Sequence, residues 1–379
     1  MDLTTEPVKQ SQATKPVLQG RSSLSKGRLP RFAPWVVLVV ALTVAAALMA
    51  LVGFNSFGWG VLTAVLYTVG LTAWSAVVEG TRKAKNKLAT CLLVGAFLVA
   101  LLPLVSVVWI VLVNGIPGLV TPGFLSTSMN GVSGIQDNAS VTNGSRVIGG
   151  IYHSLMGTLL ITLVATVISV PVGLLTSIYL TEYGRGGKIS KAITFFVDVM
   201  TGIPSIVAGL FAAALFAVIF GPGTKTGFVA AIALSVLMIP VVVRSSEEML
   251  RIVPSELREA SYALGVRKWR TILKVVIPTA ISGIASGVTL AIARVIGETA
   301  PILVTAGFAS KINLDVFGGW MSSLPTFIYT QILNPTSPSN PAPSVQRAWA
   351  AALLLIIMVM LLNLVARVIA RLFAPKTRR

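Results

Sequence analysis

Eight long apolar runs, separated by short polar or basic segments, dominate the chain. They cover about Pro34–Val52, Trp59–Val78, Leu88–Val113, Ser154–Leu180, Ile193–Phe220, Phe228–Val243, Val275–Val304 and Trp349–Ile369. A helix needs about 20 apolar residues to cross a bilayer. Most of these runs have them, so the pattern predicts an all-α fold: a polytopic membrane helix bundle with about eight transmembrane helices. The first run is too long for a signal-peptide core and lacks a small-residue cleavage site, which predicts a retained helix. In the fifth, GIPS at 202–205 places Pro204 inside the run. A proline there removes a backbone donor and predicts a kink or break. Pro278 and Pro301 mark further breaks in the seventh run. Residues 114–150, rich in Gly, Ser, Asn and Thr, and residues 308–343, with NPTSPSNPAP, read as long loops. Within the second loop, FGGWMSSLPTFIYTQI suits a short membrane-surface or re-entrant helix.

Composition agrees with a membrane protein. Of 379 residues, 55% are hydrophobic and 11% charged, against about 25% charged in soluble domains. The net charge of +18 raises nucleic acid as a partner, but the cations lie in short segments between apolar runs, as membrane topology requires. With eight spans, 25 of the 30 Lys and Arg fall on the side of the termini, which predicts a plasma (inner) membrane protein with both termini cytoplasmic. Residues 1–31 are a polar, basic cytoplasmic tail, and 374–379 are a second one. Residues 32–113 carry three helices, and 114–150 form an extracytoplasmic loop. Cys91 is the only cysteine and His153 the only histidine, so no disulfide within the chain, Cys cluster or multi-His metal site is expected, and no cofactor. Both read as packing residues, His153 at an interface in preference to proton transfer. GPGTKTG at 221–227 lacks the spacing of a phosphate-binding loop and the strand before it.

Two adjoining stretches carry the candidate chemistry. The first lies between the sixth and seventh runs. Pro254 and Ser255 open a helix, SELREASYAL continues it with Leu257, Ala260 and Leu264 on one face, and Gly265 ends it. VRKWRTILKVVIP then starts a second helix toward the membrane. The elbow spans about 249–275, and its tip bears Arg267, Lys268, Trp269 and Arg270. A Trp among cations can anchor a partner with a groove and acidic rim, or it can be an ordinary interfacial Trp among positive-inside charges; composition slightly favours the second.

The other stretch is ARVIGETAP. Arg294 and Glu298 are four residues apart, on one face of a continuous helix. Arg294 is 16 residues past Pro278, near mid-membrane. Charges there face a bundle interior or an aqueous path, and a guanidinium offers multidentate bonds to an oxyanion. The pathway reading outweighs a purely structural ion pair. Thr299 adds a neutral donor. Asp198, near Pro204, could line the pathway, cap freed backbone or face the cytoplasm. Gly283 and Gly287 form G-x-x-x-G, which suits close helix packing.

The spacing Glu259, Ala260, Ser261, three residues, Gly265, nine residues, Val275, Val276, Ile277, Pro278 resembles the E-A-A-x3-G-x9-I-x-L-P pattern of the membrane subunits of ATP-binding-cassette importers. Longer stretches at 157–184, 201–211, 239–269 and 294–307 resemble phosphate-importer permeases of the PstA type and its PstC-type relative. TEYG, GETAP and the Leu324–Pro325 pair favour the former. The resemblance covers about 150–370 and implies an ABC-importer permease core over 151–373. It implies a non-enzymatic subunit importing inorganic phosphate, paired with a second permease subunit of the PstC type. It also implies separate ATPase subunits docking at Glu259, Ala260, Gly265, Lys268, Trp269 and Arg270, an extracytoplasmic phosphate-binding protein, surrounding membrane lipid, and Arg294 and Glu298 in transport. Asn138 and Asn143 begin glycosylation-like triplets that such a bacterial context makes accidental. Residues 1–113 are outside the resemblance, with three spans where one is typical. Sulfate or molybdate remains the alternative cargo, and an autonomous secondary transporter the alternative class.

Overall fold

The computed structural model describes residues 27, 29–184 and 186–373; the rest of the N-terminal tail and the tail at 374–379 lie outside the described residues. Among the described residues, seven helices are long and apolar enough to cross a membrane, and a bent pair makes an eighth candidate. The chain forms two compact units, Met1–Ser106 and Val107–Arg379.

In the first unit, α1 (Ala33–Val52) and α2 (Ser56–Val78) form an antiparallel hairpin. Gly58 meets Met49 and Gly70 meets Val37, so small residues set the approach. Asn55 caps α2 by accepting from Phe57 N–H at 3.0 Å. At the other end of α2, Glu79 accepts from Leu29 N–H, Ser75 Oγ and Lys87 Nζ. The Lys87 ammonium, then the Leu29 and Ser75 donors, hold its carboxyl at about 2. α3 (Thr81–Leu119) begins in this unit and ends in the second. It continues six residues into the stretch expected to be loop.

The second unit is organised around α8 (Gly227–Ile252). Two thirds of its apolar window is buried (67%), against 28% for the segment Lys268–Ile296. The reason is in its composition. Ala230, Ala231, Ala233 and Ser235 let neighbours approach, while Leu234, Met238 and Val242 fill the core. Around it pack α5 (Tyr152–Ile178), α6 (Lys188–Thr201), α7 (Ser205–Phe220), α11 (Ile277–Ile296) and α12 (Ala300–Thr305). A Cβ on Gly173 of α5 would come within 2.7 Å of Val242. Gly287 and Gly283 of α11 lie against Ser245 and Met249, so the G-x-x-x-G pair is the seam between α11 and α8.

The break expected at Pro204 is present: α6 and α7 meet at 107°. Pro301 also lies at a break, since it opens α12. Pro278 does not break the chain. It sits in the first turn of α11, directly after a π-helical turn at Ile272–Val276 that runs on from α10 (Lys268–Thr271). The widened turn accommodates the missing N–H, and the helix continues through it. The sixth span also runs nine residues beyond its expected end at Val243, because its polar end remains helical.

The expected loops hold short helices, α4 (Gly134–Thr142) and α13 (Leu324–Leu333). Arg347 of α14 (Ala342–Phe373) ties them together. Only 1% exposed, it gives two parallel bonds to Asp137 of α4 at 2.9 and 2.6 Å. It also donates to Gln331 of α13, Ile148 O, Thr336 Oγ1 and Ser344 Oγ. A buried charge is tolerated only with partners of this kind. Asn138 beside it accepts from Ser337 Oγ and Asn340 Nδ2 at 2.7 and 2.9 Å, which pins the proline-rich loop.

Candidate functional site: the elbow, the arginines of α8 and the break after α11

The elbow forms as α9 (Ser255–Ala263), a turn, and α10. Gly265 takes φ +75°, a left-handed value open to glycine at little cost, and nothing crowds its missing side chain. Ser261 and Thr271, both buried, bond across the turn at 2.8 Å. The Ala-to-Ser departure at 261 therefore closes the elbow internally.

A residue the sequence did not single out holds the elbow to the bundle. Glu182, in the π-helical turn Tyr179–Tyr183 that ends α5, is buried. It accepts from Arg258 Nε and Nη2 at 3.0 and 2.8 Å. Arg258 also donates to Leu250 O and Val253 O, the last carbonyls of α8. Lys268 donates to Glu182 O and lies over the Tyr183 ring. The TEYG wording is thus the socket of the elbow. Lys268, expected at the docking tip, faces inward to this socket. Glu259, Ala260, Trp269 and Arg270 remain exposed, with Arg270 stacked 5.2 Å over the Trp269 ring. Leu257 and Leu264, placed on the apolar face of α9 by periodicity, also face outward; Leu264 is 83% exposed.

A charged cluster occupies the same end of α8. Arg244 pairs with Asp198 of α6 and with Glu247 at 2.9 Å, and Arg251 binds Glu247 at 2.6 Å. Arg244, Glu247 and Arg251, with Thr201, Ser245 and Glu248, border an open cleft of about 450 Å³. Asp198 is therefore committed to Arg244, and its side chain is 59% exposed. The spacing of Arg244 to Glu247 and Glu248 is the sequence signal that marks this cluster.

Arg294 stands apart from this cluster. The antiparallel register set by Gly287–Ser245 and Gly283–Met249 places it level with Met238, midway along α8. It is exposed, on a stripe with Ser286, Leu290 and Gly297. The structural ion pair with Glu298, the less favoured reading of their spacing, does not form. α11 ends at Ile296, and Glu298 lies in the non-helical link before α12, so the two no longer share a helix face. Among the described residues, neither makes an ion pair. Thr299 is the N-cap position of α12 and accepts from Leu303 N–H through its carbonyl. α12 is fixed by Gly209 of α7, where a Cβ would approach Pro301 Cα to 2.6 Å. The link at 297–299 is thus held at both ends and irregular between them.

A bundle of spanning helices, a helix interrupted beside a mid-span cation, and an elbow standing out from the bundle define the membrane subunit of a transporter. The chain belongs to the family of binding-protein-dependent transport system inner membrane components, which matches residues 169–379. It is 48% identical over 298 residues to the phosphate transport system permease protein PstA 1 of Mycobacterium tuberculosis (strain ATCC 25618 / H37Rv), covering 79% of this chain and 91% of the relative. It is 45% identical over 283 residues to PstA of Mycobacterium leprae, covering 75% and 88%. Among solved structures, the inward facing MetNI methionine ABC transporter is similar, with 22% identity, 60% of this chain and 95% of that chain covered, and a TM-score of 0.47. This chain is therefore a multi-pass inner membrane transport subunit. It works with a binding protein, and with an ATPase carried on a separate subunit.

Proposed function

We propose that this chain forms half of the translocation pathway of an ATP-driven importer of inorganic phosphate, paired with a second, PstC-type permease subunit. The observation that carries the reading is Arg294: exposed, mid-span, and without a carboxylate partner among the described residues. A cation at the bilayer centre costs at least about 2.5–3.5 kcal/mol on insertion scales. An anion moving along a water-filled path, shared with a facing subunit, offsets that cost. Glu298 and Thr299, in the irregular link beside it, supply an acid that competes for the guanidinium and a neutral donor. The names of the mycobacterial relatives favour phosphate over sulfate or molybdate, between which a guanidinium alone does not choose.

In this reading both termini are cytoplasmic, and the exposed surface around Trp269 docks on the ATPase. Closure of the ATPase on ATP moves the elbow. Lys268 and Glu182 pass the motion to α5, and the unbroken run from α10 into α11 passes it to Arg294. Asp198–Arg244 bridges α6 and α8 at the cytoplasmic end and parts as the helices reorient. The test is proteoliposomes containing the complete importer and its binding protein. Radiolabelled phosphate should enter only with ATP, and sulfate should not. Sulfate uptake without phosphate uptake would replace the cargo. Phosphate uptake without ATP or the ATPase would end the reading.

A further inference from the structure

The end of the second unit opposite the elbow carries few charges. Asp137 and Arg347 neutralise each other in the interior. Asp315 is turned onto its own loop, accepting from Phe317 N–H at 2.9 Å. Arg146 donates to Pro122 O, and Lys311 is exposed. Lys225 differs from these. It is half-buried and makes no ion pair among the described residues. Its ammonium lies 5.2 Å from the centre of the Trp320 ring, and its stem passes close to Gly307.

The position of Lys225 follows from the backbone. Thr226 caps α8, accepting from Val229 N–H through Oγ1 at 3.3 Å. Its own N–H donates to Thr305 O at 3.1 Å, and Thr305 ends α12. The segment that starts at Arg294, breaks at 297–299 and continues as α12 therefore finishes against Lys225. Gly307, next on that segment, has φ +72° and packs on the Trp320 ring. One stretch of 14 residues, 294–307, thus links two cations that make no ion pair among the described residues: one at mid-span, one at the end opposite the elbow. The N-terminus of α8 adds its partial positive charge at the same place. The aromatic ring fixes the ammonium without neutralising it.

We propose that Lys225 is the receiving station for the oxyanion at the mouth of the pathway, taking it from the binding protein ahead of Arg294. This rests on the proposed function but adds a residue and a step to it. A fixed positive charge at a low-dielectric mouth raises the local concentration of an anion about tenfold or more. The station therefore acts on transfer out of a docked binding protein, not on docking.

The experiment measures initial radiolabelled phosphate uptake in proteoliposomes of the complete importer, against the concentration of phosphate-loaded binding protein. Lys225→Gln should lower the maximal rate about tenfold, with the half-saturating concentration at the wild-type value, and Lys225→Arg should restore most of the rate. A Lys225→Cys protein, with Cys91 first replaced, allows the charge to be returned after assembly. An aminoethyl thiosulfonate should rescue transport and a neutral methyl thiosulfonate should not. A wild-type maximal rate in Lys225→Gln overturns the proposal. So does a change confined to half-saturation, which marks a docking contact, or equal rescue by both reagents. If the wild-type importer moves sulfate instead, the phosphate reading fails, and the same comparison made on sulfate flux still decides the role of Lys225.

Discussion

Two arginines of the second unit show how differently one side chain can be used. Arg347 is completely enclosed and spends every donor on protein; Arg294 is exposed and makes no ion pair among the described residues. The first is structural. Removing one member of such a pair leaves a buried charge without its partner, at a cost of about 3–5 kcal/mol. Arg347→Met should lower the thermal midpoint of the purified protein strongly, and Asp137→Leu added to it should recover much of the loss. Additive losses in the double variant would show that the two side chains do not act as a pair. Neither role was fully legible in the sequence. Nothing local marks the partner of Arg347, because Asp137 is 210 residues away in a segment that reads as loop. Arg294 reads as a mid-membrane charge, but a helix face shared with Glu298 requires a helix that stops at Ile296.

At the scale of elements, apolar run length located the candidate spanning helices among the described residues, Pro204 marked the break and Gly265 the elbow turn. Each depends on neighbouring residues: an apolar length, a missing N–H, a left-handed φ. The contacts that attach the elbow were not legible, because Glu182 and Arg258 lie 76 residues apart and nothing local marks them as partners. They hold the elbow against the TEYG stretch. The two bonds from Arg258 to Glu182 are charge-assisted and largely shielded from water. Glu182→Ala should cost about 1.5–3 kcal/mol locally and loosen the elbow from α5. The expected result is fewer phosphates moved per ATP hydrolysed, with the ATPase still bound. An unchanged ratio would mean that force travels through α10 and α11 alone. The rigid seam between α11 and α8 makes that second route real, since Gly287 and Gly283 leave no slack for sliding.

The whole molecule combines a core matched to a transporter family over residues 169–379 with a first unit that lies wholly before it. In the core, α8 is the fixed axis. The elbow grips its end through Arg258, α11 lies along it, and α12 closes on its start through Thr305. One helix thus connects the elbow, the mid-span arginine and the end that carries Lys225. The central claim is that the anion passes Arg294. The direct measurement is radiolabelled phosphate uptake by cells carrying Arg294→Gln, with co-purification of the other subunits confirming assembly. The account predicts that uptake falls to background while the assembled complex is recovered in normal amount. Full uptake at normal expression would contradict it.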